Sequence, residues 1–356
     1  MTKNLNSQTI VLTGDRPTGR LHLGHYVGSI QNRVRLQDQS DKAYYMVADV
    51  QALTDNADNP EKVRSNVLEV VLDNLACGVD PEKTTFFLQS QIPEIAELTV
   101  FFMNLVTVQQ LSHNPTIKSE SKERGFNLNT KFDEEADTEN TNEQGMPLGF
   151  LAYPVSQTAD ILAFKANTVP VGIDQLPVLE QANKIANKFN AFYGEVFGKI
   201  NHITSDVSRL VGTDGNAKMS KSLGNCIYLS DSYDQITKQV MSMYTDPNHL
   251  RVEDPGQVKG NVVFTYLDIF DPNKDEVEEL KMKYRAGGLG DVVIKKRLID
   301  VLENIIKPIR EKREELAKNM DEVEKILEDG TNSARSHASI VMQEVKTAMK
   351  INYFNK

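Results

Sequence analysis

A chain of 356 residues suits one large domain with an appendage or two ordinary ones, and 40% hydrophobic with 25% charged residues is a globular balance. The opening Met1-Thr2-Lys3-Asn4-Leu5-Asn6-Ser7-Gln8 has no apolar signal-peptide core, and no stretch approaches the roughly 20 apolar residues that span a bilayer, so secreted and membrane classes give way to a cytoplasmic one. Cys77 and Cys226 lack metal-ligand spacing, and a net charge of -10 with pI near 5.2 confines any nucleic-acid contact to a local basic surface.

Ile10-Val11-Leu12-Thr13 is a β-rich apolar run ending at Gly14. It leads into Asp15-Arg16-Pro17-Thr18-Gly19-Arg20-Leu21-His22-Leu23-Gly24-His25, which sets glycines and a helix start at the carboxyl end of a strand, where backbone N–H groups favour phosphate. His22 and His25, at i and i+3, share a helical face and can donate to phosphate oxygens. An alternative is a plain strand-turn-helix with His22 as a backbone cap and His25 at the surface.

Tyr44 to Ala48 and Thr85 to Leu88 read as further buried strands, with a helical pattern from Pro60 to Cys77 between them that stops at Gly78. This βαβ rhythm predicts a doubly wound, Rossmann-like parallel sheet in an α/β domain. Residues 131–147 are acidic and polar, which predicts an exposed or disordered loop.

Tyr153, Gln157 and Asp160 fall at i, i+4 and i+7 of a helix expected to begin at Pro154. A carboxylate beside Ile161, Leu162 and Phe164 needs a partner, either a neighbouring cation or a ligand donor such as an indole N–H. Val169-Pro170-Val171-Gly172-Ile173-Asp174-Gln175 is a buried strand opening into a helix, where Asp174 suits either a ribose hydroxyl or an N-cap. Lys218-Met219-Ser220-Lys221-Ser222 sits among Asp214-Gly215-Asn216 and Leu223-Gly224-Asn225. Its two lysines can neutralise a departing pyrophosphate, or simply decorate a surface loop.

Beyond residue 230 helical patterns dominate, predicting a separate, mainly helical domain over 230–356 after a catalytic domain over 1–229. Val292 to Met320 reads as one amphipathic helix kinked or broken at Pro308. Two more, Asp321 to Glu328 and Thr331 to Met349, are separated by Gly330 as a C-cap. The basic positions Lys295, Lys296, Arg297, Arg310, Lys312 and Arg313 suit a solvated helix face or RNA contact.

The histidine and lysine motifs, in this order, resemble the HIGH and KMSKS signatures of class I aminoacyl-tRNA synthetases, with His22-Leu23-Gly24-His25 a conservative departure and Lys218 to Ser222 intact. Within that class the tryptophanyl and tyrosyl branches are nearest, and three places favour tryptophan. Leu12 stands where tyrosyl enzymes place a tyrosine, the Gly14-to-His22 span matches the tryptophanyl length, and Val169 to Gln175 resembles the tryptophanyl pattern. A phenol left without that partner would lose about 1 to 3 kcal/mol.

The resemblance implies that Tyr153, Gln157 and Asp160 contact L-tryptophan. It places Arg16, Pro17, Thr18, Gly24, His25, Gly172, Ile173, Asp174, Leu210 and Lys218, Met219, Ser220, Lys221, Ser222 around ATP, with His22, His25, Lys218 and Lys221 catalytic. It implies Mg²⁺ bound only through ATP, tRNA(Trp) as partner and a homodimer. His113 and Asn183 replace family arginines, which puts subunit or acceptor-stem contacts in doubt. An RNA-binding paralogue without aminoacylation, or a nucleotidyltransferase without tRNA, is the alternative; the intact lysine motif and the helical appendage speak against each.

Overall fold

The computed structural model describes residues 8–126, 145–204, 210–215 and 219–354. Five parallel strands, β1 (Ile10–Asp15), β2 (Lys42–Val47), β3 (Thr84–Leu88), β4 (Thr168–Pro170) and β5 (Asn201–Ile203), form one sheet in the order β3-β2-β1-β4-β5. The order reverses between β1 and β4, so a crevice opens at the carboxyl ends of those two strands, where doubly wound sheets bind ligands. The predicted Rossmann-like architecture is present.

Side-chain alternation along the strands divides the interior into two cores. Tyr45, Val47 and Phe86 point to one face, against the Pro60–Ala76 helix and most of the helices after residue 230. Tyr44, Met46 and Phe87 point to the other, against the Pro93–Met103, Leu148–Leu162 and Leu176–Tyr193 helices. Both faces are covered, which is why the strands read as continuous apolar runs.

Three helices depart from expectation, two of them at a proline. The helix carrying Tyr153 begins at Leu148, and Pro154 lies inside it. A proline there cannot donate to the carbonyl four residues back, and burial of Pro154, Val155 and Ala159 in the core holds the helix together across that gap. Asp291–Leu316 likewise runs helical through Pro308 and ends in a 3-10 turn at Ala317–Asn319.

Gly330 does not end a helix. Met320–Ala348 is continuous, with Val323 and Leu327 in one core and Ala334, Ala338 and Val341 in the other, so it crosses the sheet at β3. There the Leu88 N–H donates to Thr331 Oγ1 at 3.1 Å, and a Cβ on residue 330 would stand 2.0 Å from the Phe86 carbonyl oxygen. Glycine is required by this close approach, and the helix shields an edge strand that would otherwise offer free backbone groups. Gly330→Ala should therefore destabilise the protein by about 1–3 kcal/mol in denaturant titration, although helix propensity alone predicts a gain of up to about 1 kcal/mol. A midpoint shift towards higher denaturant would disprove the strand contact.

Candidate functional site

β1 delivers the chain at Asp15, whose carboxylate is fixed from below. Arg33 pairs with it at 2.5 Å, and Tyr45 and Asn74 donate to it at 3.2 and 3.3 Å. Burial opposes its charge, but the Arg33 guanidinium outweighs burial and holds the carboxyl well below the usual carboxylate range. The loop after it turns at Thr18 N–H to Arg16 carbonyl, 2.8 Å, and reaches His22, the N-cap of the short Leu23–His25 helix.

The histidines cap and converge at once. His22 Nδ1 accepts from Gly24 N–H at 3.1 Å, His25 Nδ1 accepts from His22 N–H at 3.3 Å, and the ring centroids are 3.9 Å apart. An Nδ1 committed as acceptor puts the proton of each neutral ring on Nε2, so Nε2 is the donor. Gly24 is obligatory here, because a Cβ would lie 2.9 Å from the His22 ring.

The lysine motif is stitched to this turn. Leu23 N–H donates to Ile227 carbonyl and Leu229 N–H to Leu21 carbonyl, both at 3.0 Å, so the segment following the motif pairs with the histidine turn. Met219 is buried against Gly24 and donates its N–H to the carbonyl of buried Leu210 at 3.0 Å. Lys221 Nζ donates to Gly19 carbonyl at 2.6 Å, and burial pulls its ammonium down to about 8. Lys218 and the side chain of Ser222 lie outside the described residues.

Asn225 went unassigned in the sequence. Its Oδ1 accepts from Ser220 N–H at 2.8 Å while its Nδ2 donates to Asp214 at 3.0 Å, so one amide closes both ends of the lysine loop. Its place three residues after the motif was the only available signal.

Beside these motifs a cavity of about 330 Å³ opens at the β1–β4 crevice. Leu12, Gly14, Arg16, Met46, Phe150, Tyr153, Gln157, Asp160, Val171 and Gly172 line it. The three residues predicted on one helical face do point into one space. Asp160 is 1% exposed, accepts from Gln89 Nε2 at 2.7 Å through Oδ1, and has no partner at Oδ2; burial pushes its carboxyl up to about 7. Among the described residues no cation pairs with it, which speaks against the salt-bridge alternative.

At the mouth, Asp55 joins Arg16, at 2.7 Å, to Arg124 of the Pro115–Arg124 helix. Glu120 of the same helix faces Tyr153, whose hydroxyl completes no hydrogen bond, and burial raises both groups. Asp55, Glu120, Arg124 and Gln89 were not singled out in the sequence because only tertiary packing brings them here. Asp174 is exposed in the 3-10 turn Ile173–Gln175, with Pro17, Thr18, Ile173 and Asp174 all outside the cavity wall; the N-cap of the next helix is Gln175.

Residues 3–307 match the family described as tRNA synthetases class I (W and Y). The tryptophan-tRNA ligase of Clostridium longisporum is 52% identical over 353 residues, covering 98% of this chain and 99% of that protein. The chain belongs to the class I W and Y synthetases. The Streptococcus mutans tryptophan-tRNA ligase is 51% identical over 98% of this synthetase and 100% of its own length. The tryptophanyl-tRNA synthetase structure from Campylobacter jejuni, complexed with ADP and tryptophan, superposes with a TM-score of 0.79 at 31% identity, covering 96% of this chain and 100% of that one.

The two departures noted in the sequence have local explanations in this synthetase. Asn183 accepts from Ile200 N–H and donates to Ile200 carbonyl, both at 2.9 Å, clamping the start of β5. His113 is exposed, with Nδ1 2.7 Å from Gln109 carbonyl. The basic positions of the helical region are mostly consumed internally. Lys295 donates to the Met241 and Met243 carbonyls, Arg297 pairs with Asp271 and Glu276, Arg310 with Glu303, and Arg313 with Glu69 and Asp73, while exposed Lys312 pairs with Glu315 at 3.0 Å and Lys296 is exposed.

Proposed function

We propose that this synthetase activates L-tryptophan with ATP to tryptophanyl-adenylate and transfers it to tRNA(Trp). The observation that carries the amino-acid choice is Asp160 Oδ2, an unpartnered acceptor walled by Leu12, Met46 and Phe150. An indole N–H satisfies it, whereas a phenol finds at position 12 no hydroxyl to pair with.

In this reading Tyr153, Gln157 and Asp160 hold tryptophan, and its carboxylate attacks the α-phosphorus of ATP in line. No nucleophilic side chain is needed, so the protein contributes positioning and charge stabilisation. His22 and His25 donate near the phosphates and Lys218 and Lys221 receive the pyrophosphate. Arg16 to Thr18, Gly24, Gly172 to Asp174, Leu210, Met219, Ser220 and Ser222 surround the nucleotide. Mg²⁺ would come with ATP and would neutralise charge on its phosphates, beside the lysines assigned to the pyrophosphate.

Residues 1–229 serve as the catalytic domain and 230–356 as the anticodon-contacting one, with transfer beginning at the 2′-hydroxyl of the terminal adenosine. A homodimer is supported by exposed Val100, Met103, Val108 and Phe192, which sit on helices joined where Lys188 Nζ donates to Leu105 carbonyl at 3.0 Å. Sedimentation of the full chain tests it. A cytoplasmic setting belongs to the same proposal; no described helix is long and apolar enough to cross a membrane.

Tryptophan-dependent exchange of labelled pyrophosphate into ATP, followed by charging of purified tRNA(Trp), tests the whole reading. Exchange and charging with tryptophan and not tyrosine are expected. Exchange without charging would indicate a diverged paralogue, and no exchange would overturn the assignment.

A further inference from the structure

The helical region reaches the histidine turn through buried charge. Asp73, 1% exposed on the Pro60–Ala76 helix, accepts from Arg313 Nε at 2.6 Å through Oδ1 and from Leu21 N–H at 2.7 Å through Oδ2. Leu21 immediately precedes His22, and Arg313 also pairs with Glu69. Asp73 is therefore a two-sided bracket between a helix near the far end of the chain and the backbone that aims His22 and His25.

A second strut reaches the other motif from the same region. Tyr266, fully buried, donates its hydroxyl to the Val211 carbonyl at 2.6 Å, one residue beyond Leu210, and Tyr244 N–H donates to Thr213 carbonyl at 3.2 Å. Both motifs thus hang from residues that lie outside the cavity wall.

We infer that Arg313, acting through Asp73, is a positioning residue for amino-acid activation: it sets the histidine turn from the helical region. The inference rests on the assignment of His22 and His25 to ATP. A buried carboxylate that accepts a backbone N–H has a defined direction only while its other oxygen is held. Without Arg313, Asp73 either takes up a proton or turns towards solvent, and Leu21 is released. Misplacement of reacting groups by as little as 1 Å can cost about 10²-fold in rate.

The test is pyrophosphate exchange with Arg313→Gln and Arg313→Lys beside the wild type, with thermal midpoint and circular dichroism on each. Arg313→Gln should lower kcat by about tenfold to a hundredfold while the KM for tryptophan moves less than about twofold, and Arg313→Lys should restore most of the rate. If Arg313→Gln does not fold, Asp73→Asn/Arg313→Gln, which leaves Asp73 no charge to strand, carries the same comparison. A folded variant with wild-type kcat, or one whose kcat and tryptophan KM worsen together, overturns the inference. A wild type inactive in exchange would instead indict the activity itself.

Discussion

Lys221→Ala is expected to slow tryptophan activation by about 10²- to 10³-fold, the cost usually seen when one transition-state donor is removed, or about 2.7–4 kcal/mol. Lys221 is held at Gly19 carbonyl, 2.6 Å away, on a loop whose ends Asn225 ties together. Its ammonium is already desolvated, and burial has pulled it down to about 8, so a phosphate partner gains more from it than from a surface lysine. Charge develops on the bridging oxygen as pyrophosphate leaves, so the effect belongs to the transition state rather than to bound tryptophan. Pre-steady-state formation of the adenylate should show the loss in rate with tryptophan affinity within about twofold. An unchanged rate removes the lysine loop from the chemistry.

Asp160→Asn is expected to weaken tryptophan binding by about 1–3 kcal/mol, roughly 5- to 150-fold. An asparagine offers one oxygen where the proposal needs two, since Gln89 Nε2 donates to Oδ1 and the indole N–H would donate to Oδ2. Unaltered selection of tryptophan over tyrosine would count against the role. The same carboxyl gives two opposite pH dependences. Its folded value, about 7, lies above the unfolded reference of 3.8, so the folded state binds more protons between them. Stability of the ligand-free protein is then greatest below the unfolded value and falls as pH rises towards 7, by on the order of 4 kcal/mol at most. Tryptophan affinity moves the other way, because an N–H donor favours the ionised carboxylate: binding tightens up to about pH 7 and releases a proton below it. Calorimetry in buffers of different ionisation enthalpy measures that proton, and Asp160→Asn should abolish both trends. Proton release persisting in the variant would assign the titration elsewhere.

Sequence by itself determined four of the five strands and the strand-turn-helix setting of His22, because both are written in short-range pattern; the short strand Asn201–Ile203 carries no such pattern. Apolar runs at 10–13, 44–48 and 85–88 are strands buried on two faces, and a strand, a glycine turn and a helix start bring His22 to the carboxyl end of β1 as the N-cap of a short helix. The i, i+4, i+7 spacing likewise put Tyr153, Gln157 and Asp160 on one face even though the helix begins at Leu148 rather than Pro154.

Only the tertiary structure decided what each group meets. Gly330 carries the local signature of a helix end, but the carbonyl of Phe86, more than two hundred residues away, is what requires a glycine there. Arg297, Arg310 and Arg313 read as a basic surface until their carboxylate partners are in place. Asp160 waits on Gln89, Arg124 on Asp55, and Leu21 on Asp73. A hydrogen bond depends on a few ångströms in space and not on separation along the chain, so these pairings arise only once the sheet has set the helices beside one another.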